Sequence, residues 1–401
     1  MTSHCFTAYD VIRRNALLYP GKTALVCGDR KTGFEEYLRE VDACAAGLFA
    51  QGVCPGSRVV LAARNCHRSL WLVEASAALD AALVPVPGDL MDEHLRAILE
   101  ETTPAATVVD PERERAVVEL CAAGVPTGRL LSFSPREEAF LCLDSCLDER
   151  GYGRHHAQGD DPFLIAPARA ASSRKLRLAV LSHRNILCAA MQITAALSLS
   201  PEDVCLAALP FSSLPQLVLA LAVLHAGGCV VIPEDGYPAS LLAAVEKERV
   251  TVMAADGAMM ADISEARSAR KNAAATLRAA LLLEGAERLP PPERYDGPRL
   301  FNVWAQNEAG GVVSLGPRDE NPRACGRPGL LADVGVLDGA GRPAARGEEG
   351  SLAIGGPLLF SGYWRKGRVD RSPLSDGFLK TGDRGFFDEE GLLHVNRPSV
   401  S

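Results

Sequence analysis

Several things are scarce or missing in this 401-residue chain, and each absence removes a class of function. There is no basic excess: 42 Lys and Arg stand against 50 Asp and Glu, a net charge of −8. That balance does not suit a nucleic-acid surface. No long apolar run exists either. The longest, Leu214 to Val223, contains Pro215 and Gln216 and is too short to span a bilayer. The N-terminus lacks a basic front, an apolar stretch and a small-residue cleavage site. The twelve cysteines are scattered, with Cys142 and Cys146 the closest pair, and no Cys-His cluster completes a zinc set. Cys188, Cys205 and Cys229 lie in apolar runs and read as small buried hydrophobes. A reducing, cytoplasmic setting is expected, with no membrane and no nucleic-acid partner. No Gly-x-Gly-x-x-Gly follows an early strand, which excludes a dinucleotide-binding oxidoreductase.

What is present is an alternation of strands and helices. Ala8 to Leu18 carries apolar residues at helical spacing and stops at Tyr19-Pro20-Gly21. Thr23 to Cys27 reads as a strand entering a tight turn, Phe34 to Phe49 as a second helix, and Val59 to Ala63 as a buried strand. Helix Ser69–Leu79, strand Ala82–Val86, helix Asp92–Glu101 and strand Ala106–Val109 follow. That order predicts right-handed βαβ units and a parallel sheet. Past a charged connector, Asp148 to Asp161, a second such run extends to about Ala254. From Gly326 onward, short strands and Gly-rich turns suit a small β unit. The fold class expected is α/β: two doubly wound α/β subdomains, residues 1–160 and 161–325, plus a small barrel-like β subdomain, residues 326–395.

Thr381-Gly382-Asp383 is the most informative stretch. An aspartate just past a tight Gly turn can accept both hydroxyls of a ribose, a pairing strengthened by its charge. Alone, the tripeptide reads as a surface turn. Together with Gly362-Tyr363-Trp364 and Gly326-Arg327-Pro328, and with Leu181-Ser182-His183-Arg184-Asn185 upstream, it resembles the adenylate-forming superfamily. That family includes acyl-CoA synthetases, aryl-acid ligases, luciferases and peptide-synthetase adenylation domains.

The resemblance implies ATP-dependent activation of a small carboxylic acid through an acyl-adenylate, with AMP and magnesium at the site and a CoA or carrier-protein thiol as acceptor. It places Asp383 and Arg397 on the ribose, Trp304 on the adenine beside the turn Gly285-Ala286, and Glu308 on magnesium, next to Asn307 where the family has threonine. Phe211, Ser212 and Ser213 would line the acyl pocket, where the family's histidine is replaced. The phosphate loop would fall at Arg169 to Leu178, with Ser172, Ser173 and Arg177 as its polar members. Every glycine of the family's loop is replaced there. Glycines let backbone N–H groups crowd phosphates, so their loss implies weakened phosphate binding. Residues 396–401 match the family's hinge, and a smaller C-terminal lid domain beyond it is absent from these residues. Activity is therefore expected to be weakened, or to depend on a missing or separate C-terminal domain or acyl-carrier protein. The alternative is an inactive pseudoenzyme that serves as a binding or assembly partner in a biosynthetic pathway.

Overall fold

A computed structural model describes residues 6–88, 90–153, 157–169, 176–270, 274–292 and 295–396. Two nine-stranded sheets and one smaller sheet organise the chain. In the first sheet, Ala82–Pro85, Arg58–Ala62, Ala106–Val109 and Arg129–Ser132 run parallel. The antiparallel hairpin Pro162–Arg169 and Leu176–Ser182 joins one side of it. In the second, Cys229–Ile232, Val204–Leu206, Val252–Ala255, Ala279–Leu282 and Arg299–Gln306 run parallel. The third sheet contains Asp333–Leu337, Gly350–Gly355, Leu374–Ser375, Phe378–Phe387 and Leu393–Asn396.

Alternation along the strands decides which side each residue faces. Val59 and Leu61 enter one apolar cluster while Val60 and Ala62 enter another. Leu25, Val252 and Ala254 of the second sheet join the same inner cluster as Val59. Val26, Met253 and Ala255 face a separate outer one. Helices whose side chains meet both sheets have almost no exposed face. His67–Leu79 is buried at every position from Ser69 to Leu79, and Leu214–His225 from Leu214 to Leu224. A helix buried all round belongs between layers, and here two sheets share it.

The expected boundaries need correction. The early hairpin Thr23–Cys27 and Arg30–Gly33 is not part of the first sheet. It pairs in parallel with Cys229–Ile232, Leu25 opposite Val230. The hairpin at 162–182 completes the first sheet rather than opening the second. Gly362–Arg365 and Arg368–Asp370, assigned by sequence to the small β unit, extend that first sheet through Gly362 opposite Val180. Arg327–Pro328 caps the second sheet. The units interleave because open sheet edges are satisfied by whichever strand reaches them, not by chain order.

No disulfide joins cysteines among the described residues. No helix among them is long and apolar enough to cross a membrane.

Candidate active site

The three sheets meet where strand Arg299–Gln306 ends in the short turn Asn307–Ala309. Asp383 reaches this point from Phe378–Phe387. Sequence spacing suggested a tight turn at Thr381-Gly382-Asp383; the structure has a bulge inside a ten-residue strand instead. Pairing with Gly350–Gly355 slips between Ser351 and Ala353, opposite Arg384 and Lys380. Gly382 takes φ +90°, a conformation that favours glycine. The Thr381 hydroxyl locks the bulge, donating to the Leu352 carbonyl at 3.1 Å and accepting the Asp383 N–H at 3.1 Å.

The bulge aims Asp383 at the adjoining strand. Its Oδ2 accepts the Trp304 indole N–H at 2.8 Å and the Gln306 side-chain N–H at 2.6 Å. The residue is only 9% exposed. Two donors on one oxygen offset its desolvation. Oδ1 takes no bond among the described residues, so it retains acceptor capacity for a diol. Trp304 departs from its expected role. It is 1% exposed, packs with Val313, Leu352 and Ile354, and offers no open ring face for a purine. Its polar edge is what reaches the site.

Glu308 lies two residues past Gln306 and is 6% exposed. The Tyr363 hydroxyl donates to its Oε1 at 2.7 Å. Burial raises the Glu308 carboxyl above the usual range; the Tyr363 bond and the Arg177 charge oppose that, while Asp383 adds to it. Burial and the Glu308 charge also raise the Tyr363 phenol, which keeps it a neutral donor. Arg177 lies over the Tyr363 ring, its guanidinium carbon 5.2 Å from the centroid, with an N–H 3.5 Å from the hydroxyl.

Asn307 donates to the Pro167 carbonyl at 2.6 Å, tying the turn to the stem of the hairpin. The hairpin brings Arg177 opposite Ala168. Its tip, with Ser172 and Ser173, lies outside the described residues, as does Arg397. Gly285 and Ala286 form a turn at the end of Ala279–Leu282, with Gly285 at φ +76°. A Cβ on the facing Gly257 would stand 1.8 Å from the Gly285 carbonyl oxygen, so the two backbones touch.

In the segment expected on the acyl side, Phe211 is 3% exposed and packs into the shared core. Ser212 and Ser213 are partly exposed, and Ser213 precedes helix Leu214–His225. Asn65, which sequence reasoning missed, fixes this segment from the first sheet. Its side chain donates to the Ala207 and Leu209 carbonyls at 3.3 and 2.8 Å and accepts the Phe211 N–H at 2.8 Å. Its position just past the carboxyl end of a central parallel strand was the available signal. Gln306 and Tyr363 were also missed, although Gln306 lies between Trp304 and Asn307 and Tyr363 sits inside Gly362-Tyr363-Trp364.

The donor set is chemically selective. Among the described residues no three His, Cys, Asp or Glu side chains gather to cage a metal. A single buried carboxylate suits magnesium, which keeps waters and takes its other oxygens from substrate phosphates. Glu308 fits that role: a hard oxygen ligand whose Oε2 takes no bond from another described residue. Asp383, a few residues away across the seam, fits a ribose.

Paired α/β sheets with a small β unit at their junction define an adenylate-forming fold. The chain belongs to the AMP-binding enzyme family, whose model matches residues 12–165 and 175–364. The match breaks over 166–174, a segment that contains no glycine. The chain is 28% identical over 390 residues to a feruloyl-CoA synthase of Amycolatopsis sp, covering 95% of this chain and 76% of that one. It is 25% identical over 396 residues to an indoleacetate–CoA ligase of Aromatoleum aromaticum, covering 96% and 77%. A crystal structure from Rhodopseudomonas palustris, named provisionally as a long-chain-fatty-acid CoA ligase, superposes with a TM-score of 0.91 at 28% identity. It covers 98% of this chain and 100% of that one.

Proposed function

We propose that this protein activates a small carboxylic acid with ATP. A carboxylate oxygen attacks the α-phosphorus, the bond to the bridging oxygen of the β-phosphate breaks, and pyrophosphate leaves an acyl-adenylate behind. No covalent bond to the protein is required, so catalysis rests on positioning and charge. In this reading Asp383 orients the ribose through Oδ1, while Trp304 and Gln306 hold the carboxylate still. Arg177 faces the phosphates with its guanidinium braced on Tyr363. Glu308 would hold magnesium, which supplies neutralisation of the departing pyrophosphate. A CoA or carrier-protein thiol would then take the acyl group. The two named relatives act on aromatic acids, so aryl acids come first among candidates.

The observation that carries this reading is Asp383 in its bulge, buried, gripped at Oδ2 and with Oδ1 unbonded among the described residues. Acid-dependent exchange of pyrophosphate into ATP, measured across aryl and fatty acids, tests it. Absence of any ATP–magnesium binding by calorimetry would sink it.

One observation favours a second reading, that of a non-catalytic binding partner in a biosynthetic pathway: no glycine remains between Arg169 and Leu178. AMP binding with no exchange for any acid would select it. Exchange that appears only on adding a separate C-terminal domain or an acyl-carrier protein would instead select a core that works in trans.

A further inference from the structure

The geometry points to Tyr363 as a positioning residue that sets the affinity of Glu308 for magnesium and couples it to the cation at Arg177. This deepens the functional reading above and rests on it.

Three features carry the inference. The first is the bond itself. Tyr363 donates to Glu308 at 2.7 Å in a buried setting, where a carboxylate without a donor would be strongly disfavoured. Holding Oε1 fixes the carboxylate rotamer and leaves Oε2 for a cation. The second is how firmly Tyr363 is held. The Phe360 N–H donates to the Glu308 carbonyl at 2.7 Å, and the Phe360 ring meets Tyr363 edge-on at 4.8 Å. The Asn185 side chain donates to the Pro357 and Leu359 carbonyls, both at 2.9 Å. The Ser361 N–H donates to Val180 at 2.8 Å. The segment 357–363 is thereby fixed to Glu308 and to the first sheet before any ligand arrives. Support of this kind is what a carboxylate ligand needs to present one oxygen reproducibly.

The third feature is Arg177. Its guanidinium rests on the face of the same tyrosine that donates to Glu308. One aromatic ring thus spaces the cation that meets phosphate from the carboxylate that meets metal. Two opposite charges facing one polyphosphate would otherwise collapse onto each other, as buried ion pairs do. The phenol keeps them apart while remaining bonded to both.

The test is calorimetric titration of ATP at a series of magnesium concentrations for the parent chain and for Tyr363→Phe, with AMP in the absence of metal as the control. The substitution keeps the ring under Arg177 and removes only the hydroxyl. The variant should need about tenfold more magnesium to reach half its maximal ATP affinity, the size of one hydrogen bond to a charged group. At saturating magnesium, ATP affinity should return to within about twofold of the parent, and AMP affinity should be unchanged, which reports an intact fold. In a Glu308→Gln background, Tyr363→Phe should add nothing, because the two act as one unit. A variant with normal AMP binding and an unshifted magnesium midpoint overturns this inference alone. A parent chain that binds no nucleotide at any magnesium concentration overturns the functional reading and this inference together.

Discussion

Helix His67–Leu79 and the turn Asn307–Ala309 each bury a glutamate, and their surroundings treat the two differently. Glu74 sits in the core between the sheets, with neither carboxyl oxygen bonded among the described residues. Burial alone pushes its carboxyl up to about 8. Glu308 sits in the seam, where Tyr363 donates to it and Arg177 lies nearby. The same seam holds Asp383 with two donors. A carboxyl without partners is best kept as the neutral acid; one supplied with donors is set up to carry charge. Perturbed acidity therefore does not separate function from structure here, and the partners do.

The sharpest way to break this contrast is Asp383→Ala. It removes the carboxylate and strands the Trp304 and Gln306 N–H groups. AMP affinity should fall roughly a hundredfold or more, from loss of charge-assisted bonds to the sugar. Calorimetry reads this directly, and an unchanged dissociation constant would remove Asp383 from the site.

Glu74→Gln tests the other half. In the folded chain its pKa is raised above the ordinary 4.5, so folding favours the protonated form. That contribution is complete below about pH 4.5 and is lost as pH rises through about 8. The parent should lose stability across that window, by about 5 kcal/mol. The variant should show a flatter profile and unchanged nucleotide affinity. Thermal melts at pH 5 and pH 8 give the answer; parallel profiles for the two proteins would show that Glu74 has a partner after all.

Arg177→Ala tests the proposed phosphate side of the seam against its proposed ribose side. ATP affinity should drop about tenfold while AMP changes by less than about twofold, and the difference should shrink in high salt. Equal losses for both ligands would place Arg177 nearer the sugar.

Much of this architecture was legible in the sequence. Helix Ala8–Leu18 has the bounds its spacing predicts, and strands Thr23–Cys27 and Ala106–Val109 fall where their apolar runs lie. Periodicity reports which face of an element is buried, but not which sheet receives it. That is why the hairpin at 23–33 and the strands at 362–370 were assigned to the wrong unit. The motif singles out Asp383, which the structure places in a bulge beside Glu308 and Trp304. Its partners were not legible, because a donor such as the Gln306 amide or the Trp304 indole is recognised by direction, and direction comes from the bulges at Trp304–Ala305 and at Gly382. Trp304 misled for the same reason: composition marks an aromatic, while packing decides whether its face or its edge meets the ligand.

Asn65 gives the smallest expected effect and the finest resolution of the contrast. Like Glu308, it is a polar group in the seam with its partners supplied, three backbone groups of the segment 207–211. Unlike Glu308, it makes no hydrogen bond to Asp383, Tyr363 or Arg177 among the described residues. Asn65→Ala leaves those backbone groups to water or to one another, at a cost of about 1 kcal/mol in stability. The segment it releases runs from the second sheet through Phe211 to Ser213 at the head of a buried helix, on the acyl side of the site. If the seam works by holding distant segments in register, the variant should raise KM for the carboxylic acid several-fold and leave ATP affinity untouched. A change in ATP affinity instead would mean that Asn65 supports the whole cleft rather than its acyl wall, and the division between the two sides of the seam would have to be given up.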